Sequence, residues 1–182
     1  SALMKLKSAI SAYQSSLLSL SSNKTILSQS ATFSSTGLGT ATASSTATAG
    51  TYSFFVEKLA TANQVSYAGL ADSPAAGSGT LAIELGGLPG FTVNMAAADT
   101  DGDTILTPRE VAAAINSAPG NTAKVSASIV TINGSAQLIL TARTTGVASN
   151  ITLNTAALAN PALVAAFAPA NASQVVAGAD AR

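Results

Sequence analysis

The segment LMKLKSAISAYQSSLLSLSSNKTIL, residues 3–27, decides the architecture. Its apolar residues fall at alternating steps of three and four: Leu3, Leu6, Ile10, Tyr13, Leu17, Leu20, then Lys24 in register, then Leu27. This is a heptad seam with one polar interruption. No Gly or Pro occurs before Gly37, so nothing breaks a helix there. A helix over this stretch runs roughly 40 Å at about 1.5 Å per residue. The seam is narrow, and the other positions are mostly Ser, Lys, Gln and Asn. Such a helix needs a second element to lie against. No second heptad helix is visible in the chain. The expected partner is therefore another copy, another protein, or a part of a longer parent chain. Packing on the protein's own sheet is the plainer alternative, but the strict three-four spacing favours a helix–helix seam.

Composition narrows the function classes. The chain has 182 residues, room for one or two domains. Only 9% are charged and the formal net charge is zero, so no field exists to steer nucleic acid or an anionic membrane. No apolar run approaches the roughly 20 residues of a transmembrane helix. The amphipathic N-terminus lacks the apolar core and cleavage site of a signal peptide. A start inside a helical pattern and an end at Ala181-Arg182 are expected of a piece of a longer protein. His and Cys are absent, which removes Ser-His and Cys-His nucleophiles and disulfides. No Gly-rich phosphate loop with its Lys is present. An enzyme is not expected.

The predicted fold class is α+β: the long helix, then antiparallel hairpins with one short capped helix. We divide the chain at 1–30 (a helix of coiled-coil type in a helical stalk), 31–72 (a linker and first β segment) and 73–182 (a β-rich domain with a ββαββ-like unit). Ser28 to Ala49 is rich in Ser, Thr and Ala and reads as a junction rather than an O-glycosylated stalk, since it lacks Pro. Tyr52, Phe54 and Val56 alternate and predict a strand that could continue through Glu57–Val65. Leu81, Ile83 and Leu85, a turn from Gly86 to Gly90, and Phe91, Val93 and Met95 predict a hairpin. Thr107-Pro108-Arg109-Glu110 has the form of a capping box, opening a helix to about Ser117 with Val111, Ala114 and Ile115 inward. Asn133-Gly134 predicts a tight hairpin between Lys124–Ile132 and Gln137–Arg143. Ile151 and Leu153 start a short strand, residues 156–172 form a short helix or loop, and Val175-Val176 open a last strand.

The one constellation with site chemistry is the acidic stretch Asp99 to Glu110. Asp99, Asp101, Asp103 and Glu110 stand at positions 1, 3, 5 and 12 of an EF-hand-type loop, a spacing that can converge on Ca²⁺. Against this, Thr104 stands where that loop wants Gly, and the capping box gives Glu110 another use. A solvated acidic turn before a capped helix is the preferred reading. No metal and no cofactor is expected, and calcium is the alternative.

Three stretches together resemble a known family. They are Leu3-Met4-Lys5-Leu6-Lys7-Ser8-Ala9-Ile10; then Ala49-Gly50-Thr51-Tyr52-Ser53 with Val56-Glu57-Lys58-Leu59-Ala60 and Gln64; then Ala114-Ile115-Asn116 through Val125-Ser126-Ala127 and Leu138-Ile139-Leu140-Thr141 to Thr145-Gly146 and Asn150-Ile151-Thr152. In order and spacing they are similar to the flagellar filament cap family, also called hook-associated protein 2. The acidic stretch departs from the family's pattern. The resemblance implies an extracellular protein at the flagellum tip, a ring-like homo-oligomer that helps flagellin insert, with no nucleic acid or membrane partner and no catalytic residues. It also implies a helical domain built from N- and C-terminal segments together, which supplies partners for Leu3, Leu6, Ile10, Tyr13, Leu17, Leu20 and Leu27. A calcium-stabilised extracellular adhesion module is the reading from a different class, and a sibling junction protein of the same filament is a third.

Overall fold

A computed structural model describes residues 2–22, 29–35, 37 and 39–182. The chain divides into two compact units, Ser1–Phe54 and Phe55–Arg182. Lys24 and Leu27, the last two heptad positions, lie outside the described residues.

In the first unit, helix α1 spans Ala2–Ser22, 21 residues or about 30 Å. Its many serines are tolerated because some return their hydroxyls to the helix, as Ser16 Oγ donates to the Ala12 carbonyl at 3.0 Å. The strand predicted at Tyr52–Val56 is not formed. These residues carry no regular secondary structure, and their side chains are exposed. Alternation supplies a face, but a strand also needs a neighbouring edge to take its backbone hydrogen bonds.

The first strand, β1, lies further on, at Ala62–Leu70. After it come β2 (Ser73–Pro74), β3 (Thr80–Leu85), β4 (Leu88–Asn94), β5 (Ile105–Leu106), α2 (Pro108–Ser117), β6 (Val125–Ile132), β7 (Ser135–Thr145), β8 (Ile151–Asn154), α3 (Pro161–Ala166) and β9 (Ala172–Val176). All described pairings are antiparallel. They build a four-stranded sheet in the order β6-β7-β1-β9, a three-stranded sheet β4-β3-β8, and the short pair β2-β5.

Both predicted hairpins form. Asn133 and Gly134 have φ of +50° and +81°, and Gly86 and Gly87 have +59° and +79°. Two consecutive positive φ values are the mirror-image turn that matches strand twist. The second loop is shorter than the five residues expected, since β4 already begins at Leu88. A bulge at Ile83/Glu84 absorbs the difference, and Gly90 fits there because a Cβ would press on the Ile83 carbonyl. The two hairpins flanking α2 do not share a sheet: β3-β4 continues with β8, and β6-β7 with β1.

The core takes residues from the two larger sheets and from α2 and α3. Leu81 and Ile83 of β3, Leu138 and Leu140 of β7, Val111 and Ile115 of α2 and Leu163 of α3 are buried in one cluster. Tyr67 of β1 meets Phe167 edge to face at 5.9 Å, just past α3. Side chains of Asn stitch this frame. Asn116 holds both backbone groups of Ala127 on edge strand β6, at 2.8 Å each. Asn63, buried in β1, accepts from Ile151 N–H at 2.9 Å and donates to the Val176 carbonyl at 3.2 Å. One side chain thereby joins β1 to strands of both sheets.

Candidate interaction helix and acidic loop

The heptad places Leu3, Leu6, Ile10, Tyr13, Leu17 and Leu20 along one stripe of α1. All six are exposed, from 46% at Leu17 to 78% at Leu3. Met4 and Leu18 are also exposed, but each is turned about 100° from its neighbour Leu3 or Leu17 and lies off the stripe. Scattered apolar side chains on a surface need no explanation, but a continuous stripe does. Burying six such side chains is worth on the order of 10 kcal/mol in gross transfer energy. Lys5 and Lys7 are the charged residues of α1. The stripe is therefore an exposed apolar face with few charges near it. Leu27, the seventh residue assigned to it, lies outside the described residues.

The second candidate is the loop from Asp99 to Glu110. The structure brings Asp99, Asp101 and Asp103 together, with one carboxylate oxygen of each within 4.8 Å of the others. The backbone folds around them: Asp99 accepts from Gly102 N–H at 2.8 Å and Thr104 N–H at 3.0 Å, and Asp103 accepts from Ile105 N–H at 2.7 Å. Thr104 takes a φ of +70°, the left-handed conformation a Gly adopts without strain. Asp103 N–H pulls the Asp101 carboxyl down. Desolvation and the negative charges of Asp103, Glu110 and Asp99 outweigh it and hold Asp101 above the usual carboxylate range.

Glu110 does not join the three aspartates. It completes the capping box with Thr107 and also reaches back to Thr100. Its Oε2 accepts from the Thr107 N–H and hydroxyl, both at 2.9 Å. Its Oε1 accepts from the Thr100 N–H at 2.8 Å and the Thr100 hydroxyl at 3.2 Å. The capping box is legible in sequence; the Thr100 contact is not, because it needs the loop to close first. Glu110 is only 8% exposed, and the N–H groups of Thr107 and Thr100 lower its pKa to about 2. A depressed carboxylate pKa stabilises the fold fully above its unfolded value near 4.5, and that contribution is lost as pH falls through about 2. Glu110→Gln should flatten the acid limb of the stability profile between those values, with little effect on its shape at neutral pH. An unchanged acid limb in Glu110→Gln would show that the carboxylate is not anchored this way.

With Glu110 engaged, the three aspartates lack the bidentate closing ligand of an EF-hand loop. Millimolar Ca²⁺ is expected to leave the melting temperature unchanged, and Asp101→Asn to be neutral. A rise in melting temperature that Asp101→Asn removes would instead establish a site.

The chain is of the α+β class, an exposed heptad helix followed by an antiparallel β unit. A family model described as the flagellar hook-associated protein 2 N-terminus matches residues 1–63 of this chain. The B-type flagellar hook-associated protein 2 of Pseudomonas aeruginosa is 39% identical over 149 residues, covering 80% of this chain and 30% of the relative. The lateral flagellar hook-associated protein 2 of Vibrio parahaemolyticus is 35% identical over 129 residues, 69% of this chain and 28% of the relative. The chain thus spans under a third of the length of these curated relatives. Among solved structures, the D2-D3 domains of the flagellar cap protein FliD from Escherichia coli match with a TM-score of 0.51 and 26% identity, over 69% of this chain and 65% of that one. FliD from Pseudomonas aeruginosa matches with the same TM-score and 24% identity, over 58% of its chain, a likeness of fold.

Proposed function

We propose that this chain is the N-terminal part of a flagellar filament cap subunit, a structural protein at the extracellular tip of the filament. In this reading α1 docks its stripe on other helices of the assembly, from the same subunit or from neighbouring copies in a ring. The β unit is carried outward, and the assembled cap helps flagellin insert beneath it. The observation that carries the reading is the exposed stripe of Leu3, Leu6, Ile10, Tyr13, Leu17 and Leu20 within the segment that matches the family model. The proposed role is structural, with no catalytic step and no cofactor. Imaging filament tips with a labelled full-length protein tests it: label confined to the tip supports the reading, and label along the shaft or absent from filaments overturns it. A calcium-stabilised adhesion module is the second reading. Its support is the convergence of Asp99, Asp101 and Asp103, and the use of Glu110 as a cap weighs against it.

A further inference from the structure

Strand β6, within the Phe55–Arg182 unit, has a covered half and an open half. It lies at the edge of its sheet and pairs with β7. Hydrogen-bonded and non-bonded pairs alternate along such a ladder. Arg143 N–H donates to the Lys124 carbonyl at 2.9 Å, which sets the phase. Ser126, Ser128, Val130 and Ile132 turn their backbone groups to β7, and Val125, Ala127, Ile129 and Thr131 turn theirs away from the sheet. For the first two of these, asparagines take the place of a neighbouring strand. Asn121 accepts from Val125 N–H at 2.9 Å and donates to its carbonyl at 3.0 Å. Asn116 does the same for Ala127, at 2.8 Å both ways. Ile129 and Thr131 have no such partner among the described residues. The open half is held in place from behind, since β7 pairs with β1 as far as Ala136, opposite Leu70. Four of its five residues, Ser128-Ile129-Val130-Thr131-Ile132, are β-branched, and Val130 and Ile132 are exposed on one face. Natural sheet edges are commonly guarded by a charge, a Pro or a bulge. This one has no bulge, and neither a charged residue nor a Pro lies between Lys124 and Arg143.

We propose that the open half of β6 is a pairing site for a second copy of this chain, β6 against β6 about a twofold axis through Val130. What selects a second copy is self-complementarity. Ile129 and Thr131 stand two residues apart, so this axis sets Ile129 opposite the partner's Thr131, and Thr131 opposite the partner's Ile129. The four open backbone groups of one copy then meet the four of the other in four hydrogen bonds. Val130 meets the partner's Val130 on the axis, and Ile132 faces the partner's Ser128. A twofold contact brings each residue near its own kind, and here no like charges meet, because the strand is uncharged. The register cannot slide inward, since Ala127, the next outward residue, is already bonded to Asn116. Such a contact is isologous and pairs copies two at a time. It therefore differs from the repeating contact of a ring and does not rest on the cap reading.

Single cysteines test this, since the 182-residue chain has none of its own. Oxidised glutathione serves as the oxidant. On the axis the two Val130 positions form a non-bonded pair with Cα atoms about 4.5 Å apart, within disulfide reach. Val130→Cys should therefore give a covalent dimer. A Cys at position 128 or 132 lies about 14 Å from its own counterpart, four residues along the strand at about 3.4 Å each. Ser128→Cys or Ile132→Cys alone should cross-link roughly tenfold more slowly or not at all. Mixing the two chains should restore the dimer. Thr131→Pro, added to Val130→Cys, removes two of the four hydrogen bonds and spares the β6-β7 ladder, because the lost N–H points outward. It should slow cross-linking roughly tenfold or more. Equal yields from all three positions, or no dimer from Val130→Cys, overturn the proposal. Cross-linking that Thr131→Pro leaves unchanged also overturns it, because the copies would then be held together elsewhere. A dimer led by Ser128→Cys or Ile132→Cys contradicts the register and overturns it too. Loss of tip localisation in the imaging experiment would refute the cap reading and leave this test intact.

Discussion

Leu138→Ala is expected to lower the stability of the β unit by about 2–5 kcal/mol, read from denaturant midpoints. Leu138 is fully buried in β7, between β6 and β1, where it is paired with Ile129 and Tyr67. Truncating it leaves a cavity that two hydrogen-bonded neighbours prevent from collapsing. A loss of this size is a large share of the 5–15 kcal/mol typical of a domain, so a marginal unit would unfold. Leu17→Ala is the contrasting change. Leu17 is 46% exposed on α1, and its truncation should leave that midpoint where it was. A large loss from Leu17→Ala would mean that the seam belongs to the core of the β unit rather than to an interface.

Asn63→Ala should cost about 1–3 kcal/mol, because it leaves the buried Ile151 N–H without its acceptor. It also removes the side-chain donor to Val176, although β9 stays paired with β1 through the backbone. The exposed Asn154, whose amide donates to Glu84, provides the control. Asn154→Ala should shift stability by a few tenths of a kcal/mol, as surface substitutions usually do. Equal effects at the two positions would show that burial is not what makes Asn63 matter.

What could be read in the sequence was what is encoded locally. The cap of α2 lies within Thr107-Pro108-Arg109-Glu110, and the β6-β7 hairpin is set by Asn133-Gly134. Each feature is decided by residues three or fewer apart. The heptad is equally local, so α1 could be read as far as Ser22. The first strand could not. Tyr52, Phe54 and Val56 alternate more cleanly than Ala62–Leu70, which carries Asn63, Gln64 and Ser66. Those polar residues suit β1 because their partners come from elsewhere: Asn63 bonds residues 88 and 113 positions away, and Gln64 reaches Thr141. Similarly, nothing near Glu110 announces Thr100, ten positions upstream. The acidic cluster was legible as a cluster, but the direction of Glu110 was settled by competition between two uses of one carboxylate. The period alone assigns Leu3 to Leu20 to one face of a helix, while the identity of what covers them is not a local property.

The central claim is that the α1 stripe is an assembly surface of the filament cap. Its most direct measurement is filament length and shed flagellin in cells whose only copy of the full-length protein carries Ile10→Ser and Leu17→Ser together. Both positions are exposed, so the protein should fold and be exported with its β unit intact. The account predicts short or missing filaments and flagellin released unpolymerised into the medium. Filaments of normal length, with the variant present at wild-type levels outside the cell, would contradict it.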